Sequence, residues 1–201
     1  MILYHMSQTL SLGDSLVCDN QKCMRLSEPF IQGLEQSEDC FIGMVLNAKY
    51  MFAVLSRSGL REWSDYAKWA TEGAFEYVRR NSYPEAVSRL NCNYFYSDLE
   101  DSRKLYEYDW GEASEEEQAL VHLFEVEVDD SQPDKRDMSL YDEAYDAMSE
   151  KQDIKTVLRC AEEYYAGHQS KDPVWEILSD KKAVAVKDIT DILSKNKSWS
   201  V

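Results

Sequence analysis

The sequence predicts an α+β fold in which a sheet is assembled from distant parts of the chain, with a long helical insertion after the first strand. Three observations predict it. Strand-like runs fall in two clusters, one at the N-terminus ("ILYHMS") and one from residue 91 onward ("NCNYFYS", "ALVHLFEVEVDD", "VWEIL"). Long runs with helical spacing lie mostly between them. The regular strand–helix alternation of a doubly wound sheet is missing, and so is a glycine-rich phosphate loop. The 201 residues suit one domain, residues 1–201, with the insertion at about 37–80 and a loose tail at about 194–201.

Each element follows from local chemistry. "ILYHMS" alternates as a strand, and Gly13-Asp14 marks a turn after it. "SEPFIQGLEQ" predicts a short helix over 27–36, with Ser27 as N-cap and Pro29 in the first turn. "SEDCFIGMVLNAKYMFAVLSR" predicts a helix capped by Ser37 and ended by Gly59, and "REWSDYAKWATEGAFEYVRR" a second one. In the latter Trp63, Tyr66, Trp69 and Gly73 share helical spacing and are read as core. "NCNYFYS" predicts a strand, and the helix after it takes Ser97 or Asp98 as its cap. "ALVHLFEVEVDD" predicts a half-buried strand and "DSQPDKRD" a loop. Two helices follow, "SLYDEAYDAMS" and "DIKTVLRCAEEYYAG", then two short strands around the Ser179–Lys182 turn.

Composition narrows the function classes. The net charge of −16 disfavours phosphate-led nucleic-acid binding and an anionic membrane surface. No stretch reaches the length of a membrane span and no signal peptide opens the chain, so a cytoplasmic protein is expected. The five cysteines are scattered, form no CxxC pair and are read as reduced and mostly packed, with no metal site. Between Asp98 and Asp130 there are 13 acidic and 2 basic residues. Such a run is a solvated face or a docking surface for a basic protein. No GxSxG or HExxH motif occurs.

Three segments carry the functional signal: "LYHMSQTLSLGDSL", "SRLNCNYFYSDLEDSRKL" and "GHQSKDPVWEIL". A histidine on the first strand, a tyrosine on a middle strand and a glutamate on a late strand, in that order, resemble the ADP-ribosyltransferase superfamily of the His-Tyr-Glu type. The opening is most similar to the rifampin-modifying branch, where a "YHG" strand leads into a "GD" turn. It is also similar to a bacterial and phage family of unassigned function. The resemblance implies a split β-sheet core and transfer of ADP-ribose from NAD to an acceptor: a protein, a nucleic acid or a small molecule. The position two residues before the glutamate is Val174, where arginine-modifying members carry Gln or Glu.

The resemblance implies a role for each matching residue. Glu176 is the catalytic carboxylate beside an oxocarbenium-like ribose. On its own it reads equally well as an edge-strand charge that prevents sheet pairing. His5 grips a ribose hydroxyl, both catalytic and NAD-binding in effect; an isolated histidine is more often a plain core-edge residue. Tyr94 or Tyr96 lies against the nicotinamide, where a cationic ring gains cation–π attraction. Arg89 meets the pyrophosphate, although arginines on connections are usually solvated. Tyr106, Tyr108 and Trp110 offer a second wall, His168 an acceptor contact, and His122 is read as structural. NAD hydrolysis is a variant of the same chemistry. A different class, a non-enzymatic acidic inhibitor that blocks a basic partner surface, rests on the charge alone.

Overall fold

The computed structural model describes residues 1–18, 21–55, 66–151 and 153–195. The chain divides into two compact units, each made of separated segments. The first holds Met1–Cys18, Cys92–Lys135 and the residues from Val174; the second holds Asp19–Asn91 and Arg136–Pro173.

The first unit is built on antiparallel strands. Strands β1 (Ile2–Ser7), β4 (His122–Val128), β7 (Ala183–Asp188) and β2 (Ser15–Leu16) form one sheet in the order β1-β4-β7-β2. Strands β3 (Asn93–Phe95), β6 (Trp175–Ser179) and β5 (Asp134–Asp137) form a second in the order β3-β6-β5, the division between the units falling within β5 after Lys135. The two short strands around Ser179–Lys182 therefore belong to different sheets. Side chains alternate along the strands, with one register shift in the β4–β7 pairing between Glu125 and Val126, and one face of the first sheet carries Leu3, Val126, Val128, Ala183 and Ala185. These pack with Phe95 and Ile177 of the second sheet into one apolar cluster. Gly13 takes φ +89 in the turn before β2, and its N–H donates to the Ala185 carbonyl at 2.8 Å. Helix α4 (Leu99–Trp110) starts at Asp98, whose carboxylate accepts the Asp101 N–H at 2.9 Å. Helix α5 (Glu115–Gln118) is short and closed by a reciprocal Ser114–Glu117 capping box. Helix α8 is Asp191–Lys195.

The second unit is helical: α1 (Gln21–Gln36), α2 (Glu38–Leu55), α3 (Tyr66–Ser82), α6 (Met138–Asp146) and α7 (Ile154–Tyr165), with a π-turn at Ala147–Lys151. Ser37 caps α2, accepting the Cys40 N–H at 3.1 Å. Gly73 of α3 meets α1 so closely that a Cβ there would sit 2.8 Å from the Phe30 Cβ and 3.1 Å from the Ser27 carbonyl oxygen. The buried residues of α3 include Ala67, Ala70, Thr71, Ala74, Phe75 and Val78, and Phe75 packs on Tyr141, Tyr164 and Tyr165 of α6 and α7.

Three expectations are corrected. Helix α1 begins at Gln21, so Pro29 lies inside it and Ser27 is a fully buried helical residue, not a cap. The buried stripe Leu26, Phe30, Ile31 and Leu34 against α3 outweighs the backbone hydrogen bond that Pro29 forgoes. "DSQPDKRD" contains strand β5, a polar edge whose pairing to β6 runs through the backbone and leaves no hydrophobic alternation. The four-residue α5 is too short to leave a periodic signal. Trp63 and the helix stop at Gly59 lie outside the described residues, as does the tail from residue 196.

Among the described residues no helix is long and apolar enough to cross a membrane, and no cluster of three or more His, Cys, Asp or Glu could hold a metal ion. The five cysteines are all free thiols, with Cys92 and Cys160 buried and Cys40 exposed. Burial above all pushes the Cys160 thiol up to about 11, so it stays protonated.

Candidate functional site

Strand β1 belongs to one sheet and touches the other. Tyr4 and Tyr96 exchange two backbone hydrogen bonds, Tyr4 N–H to the Tyr96 carbonyl at 2.9 Å and Tyr96 N–H to the Tyr4 carbonyl at 2.8 Å. This bridge is isolated: the pairing does not continue as a ladder. Where β1 and β3 part, the His5 ring fills the gap, with Nδ1 2.8 Å from the Tyr94 carbonyl oxygen. A carbonyl only accepts, so Nδ1 carries the proton and Nε2 is left as the acceptor of the neutral ring. Burial lowers the pKa of His5, and the bond to Tyr94 opposes that shift only in part. His5 also leans on Phe95, the ring centroids 5.7 Å apart.

Register and alternation assign every candidate side chain to a face. Phe95 pairs with Ile177 and Tyr94 with Leu178, so Tyr96 and Glu176 stand one step beyond Phe95 and Ile177. Paired residues share a face and neighbours along a strand do not. Tyr94, Tyr96, Leu178 and Glu176 therefore lie on one face of the second sheet, and Phe95, Ile177 and the His5 ring on the other. The structure brings the strands of His5, Tyr96 and Glu176 side by side, β1 against β3 and β3 against β6. It does not bring the His5 and Glu176 side chains onto one face. Glu176 is 1% exposed and Tyr96 5%, while Tyr94 is half-buried.

Arg89 is corrected from a pyrophosphate contact to a core cation. It sits in the helical unit, 7% exposed, with Nε and Nη2 donating to the Glu72 carboxylate at 3.3 and 3.4 Å and Nη1 donating to Tyr164 Oη at 2.9 Å. Its guanidinium lies 4.0 Å from the Tyr141 ring centroid. The short turn Arg89–Asn91 buries the side chain, and a buried guanidinium takes a carboxylate partner.

A polar cluster on the His5 face carries no functional signal in the sequence alone. Pairing places His5 beside Phe124 and Phe124 beside Asp188, and one step further Ser7 beside His122. The face thus passes from the apolar row Leu3–Val126–Ala185 to a polar end displaying His5, Ser7, His122 and Asp188. The His122 ring stacks on Phe124, centroids 6.0 Å apart and planes 28° apart. Its Nδ1 lies 3.4 Å from Thr190 Oγ1 and 3.6 Å from Asp188 Oδ2. Thr190 donates its hydroxyl proton to Asp188 Oδ1 at 2.6 Å and accepts the Leu123 N–H at 3.1 Å. Thr190's hydroxyl and amide, with the nearby His122, hold the Asp188 carboxyl below the ordinary range. Period-two counting along "VHLF" places His122 with Phe124, but only the pairing with β1 reveals that it shares the His5 face.

No curated protein matches the chain. A family model described as a protein of unknown function, DUF2441, matches residues 3–191, across both compact units, and the chain belongs to that family.

Proposed function

We propose that the protein transfers ADP-ribose from NAD to an acceptor, using the point where β1 leaves β3 as the nucleotide site. One observation carries this reading: a neutral His5, its Nδ1–H tied to the Tyr94 carbonyl at 2.8 Å, keeps Nε2 as a fixed acceptor for a sugar hydroxyl. Phe95 against the His5 ring holds its orientation. When bound, NAD supplies a ribose joined to a cationic leaving group. Tyr94 and Tyr96, which the resemblance sets against the nicotinamide, lie on the face opposite His5, so the chain's remaining part is to hold the sugar and place a negative charge near the ribose. Glu176 is the carboxylate the resemblance assigns to that task. Its burial and its place on the face opposite His5 make it the residue on which the reading turns. Calorimetric titration of NAD, together with chromatography of released nicotinamide, tests the proposal. Binding that His5→Ala weakens, with nicotinamide release, is the expected result. A wild-type protein that neither binds NAD nor releases nicotinamide overturns it.

A second reading is favoured by a specific observation. Glu107, Asp109, Glu112, Glu115 and Glu116 are exposed around α4 and α5, with Tyr108 71% and Leu120 57% exposed among them. An acidic surface carrying apolar side chains suits a basic protein partner.

A further inference from the structure

We propose that His122 is the general base that takes the proton from the acceptor, held for that task by Asp188 and Thr190; this rests on the ADP-ribosyl-transfer reading. The argument begins with one proton. The Thr190 hydroxyl spends its only proton on Asp188 Oδ1 at 2.6 Å, so toward His122 it can only accept. Asp188 Oδ2 is also an acceptor. His122 Nδ1 faces these two acceptors and carries the proton, which leaves Nε2 with the lone pair. Stacking on Phe124 fixes the ring plane. An imidazole whose Nδ1–H is oriented toward a carboxylate while Nε2 stays basic is prepared to accept a proton.

Placement supports the same role. His5 pairs with Phe124 and His122 follows two residues back on the same strand, so the two histidines are diagonal neighbours on one sheet face. Diagonal neighbours stand roughly 7–8 Å apart, enough to admit a reacting group between them. A sugar held at His5 would have its acceptor beside His122. The His122 side chain is 42% exposed and Asp188 44%, so an acceptor reaches this end from solvent. The step balances: the acceptor's proton passes to His122 Nε2 and then to water. The acceptor's electron pair forms the bond to ribose C1′, and the pair of the C1′–nitrogen bond leaves with neutral nicotinamide.

The test uses the full chain with water, ethanol and trifluoroethanol as acceptors. It measures NAD affinity by calorimetry, and nicotinamide and alkyl ADP-riboside by chromatography. His122→Ala is expected to keep NAD affinity and lose about 10²–10⁴ in rate, the usual range for a general base. Added imidazole restores part of that loss, and the loss is smaller with the more acidic trifluoroethanol; a structural role would move neither. Asp188→Asn is expected to lower the rate less, with the same unchanged affinity. A His122→Ala protein as fast as wild type, or one that imidazole does not rescue, overturns the base while leaving NAD binding intact. A wild-type protein that binds NAD yet releases nicotinamide to none of these acceptors also overturns it. Absent NAD binding in the wild type sinks the parent reading, and this proposal with it.

Discussion

His5 Nδ1 donates to the carbonyl of Tyr94 at 2.8 Å, tying the first strand to a strand 89 residues later in the chain. This bond closes the point at which the two sheets part, and burial keeps the ring neutral at pH 7.

That arrangement has a pH consequence. The pKa of His5 is lower in the folded protein than in the unfolded chain, so the unfolded state binds the proton more readily. The stability from His5 is present above the unfolded value of about 6.5 and is lost as pH falls through that value toward the lower folded one. Thermal melts of wild type and His5→Asn, between pH 7.5 and 5.5, are expected to converge as pH falls. Parallel curves would show that His5 has no such shift. Glu76 acts in a different window. Arg79, Ser88 and Arg80 outweigh its burial and depress its pKa, so its stability is lost only as pH drops below the ordinary glutamate range.

Arg89 is expected to matter for stability and not for NAD. Arg89→Met leaves the Glu72 carboxylate buried without its guanidinium, at a cost of about 3–5 kcal/mol in urea denaturation. Adding Glu72→Met should recover much of that loss, because the uncompensated charge goes too. A variant of wild-type stability with weakened NAD binding would return Arg89 to the pyrophosphate.

Gly73→Ala places a methyl group 2.8 Å from the Phe30 Cβ, and neither helix backbone can yield cheaply. Overpacking of this kind costs about 1–3 kcal/mol, against a gain in helix propensity of about 1 kcal/mol. A lower melting temperature is expected; a higher one would mean that α1 shifts away at little cost.

If the acidic surface of α4 and α5 docks a basic protein, Glu115→Lys with Glu116→Lys should abolish that partner's capture while NAD affinity stays unchanged. Glu117 is left alone because its carboxylate accepts the Ser114 N–H at 3.0 Å and closes the α5 cap. Unchanged capture would assign the run to a solvated face.

Much of the fold is legible in the sequence, and the reason is local. Strand β1 declares itself by alternation, α2 by Ser37 and α4 by Asp98, each cap accepting the N–H its position calls for. Strand β5 is illegible because its pairing runs through the backbone, and α1 is misjudged because proline statistics lose to packing around Gly73. For the site, sequence order puts the strands of His5, Tyr96 and Glu176 in view. It cannot give the face each side chain takes, which depends on the Tyr4–Tyr96 register; a one-residue slip would exchange the faces. His122 escapes for the same reason, since its partners Asp188 and Thr190 lie more than 60 residues away.

Glu176 decides between a catalytic carboxylate and a structural one. Glu176→Gln keeps the shape and removes the charge. If the carboxylate stabilises a positive ribose, the interaction is made mainly in the transition state, so turnover should fall by about 10²–10³ while NAD affinity changes little. His5→Ala should instead weaken NAD binding as well, because it holds the sugar before reaction. The structural alternative predicts another pattern. A carboxylate 1% exposed, on the face away from His5, would show its loss in the urea midpoint and leave the rate per folded molecule unchanged. Measuring nicotinamide release, NAD affinity and the urea midpoint on the same preparations separates the two. Wild-type turnover in Glu176→Gln removes this residue from the chemistry and leaves the His5 face, with His122 and Asp188, as the place to look for the reacting groups.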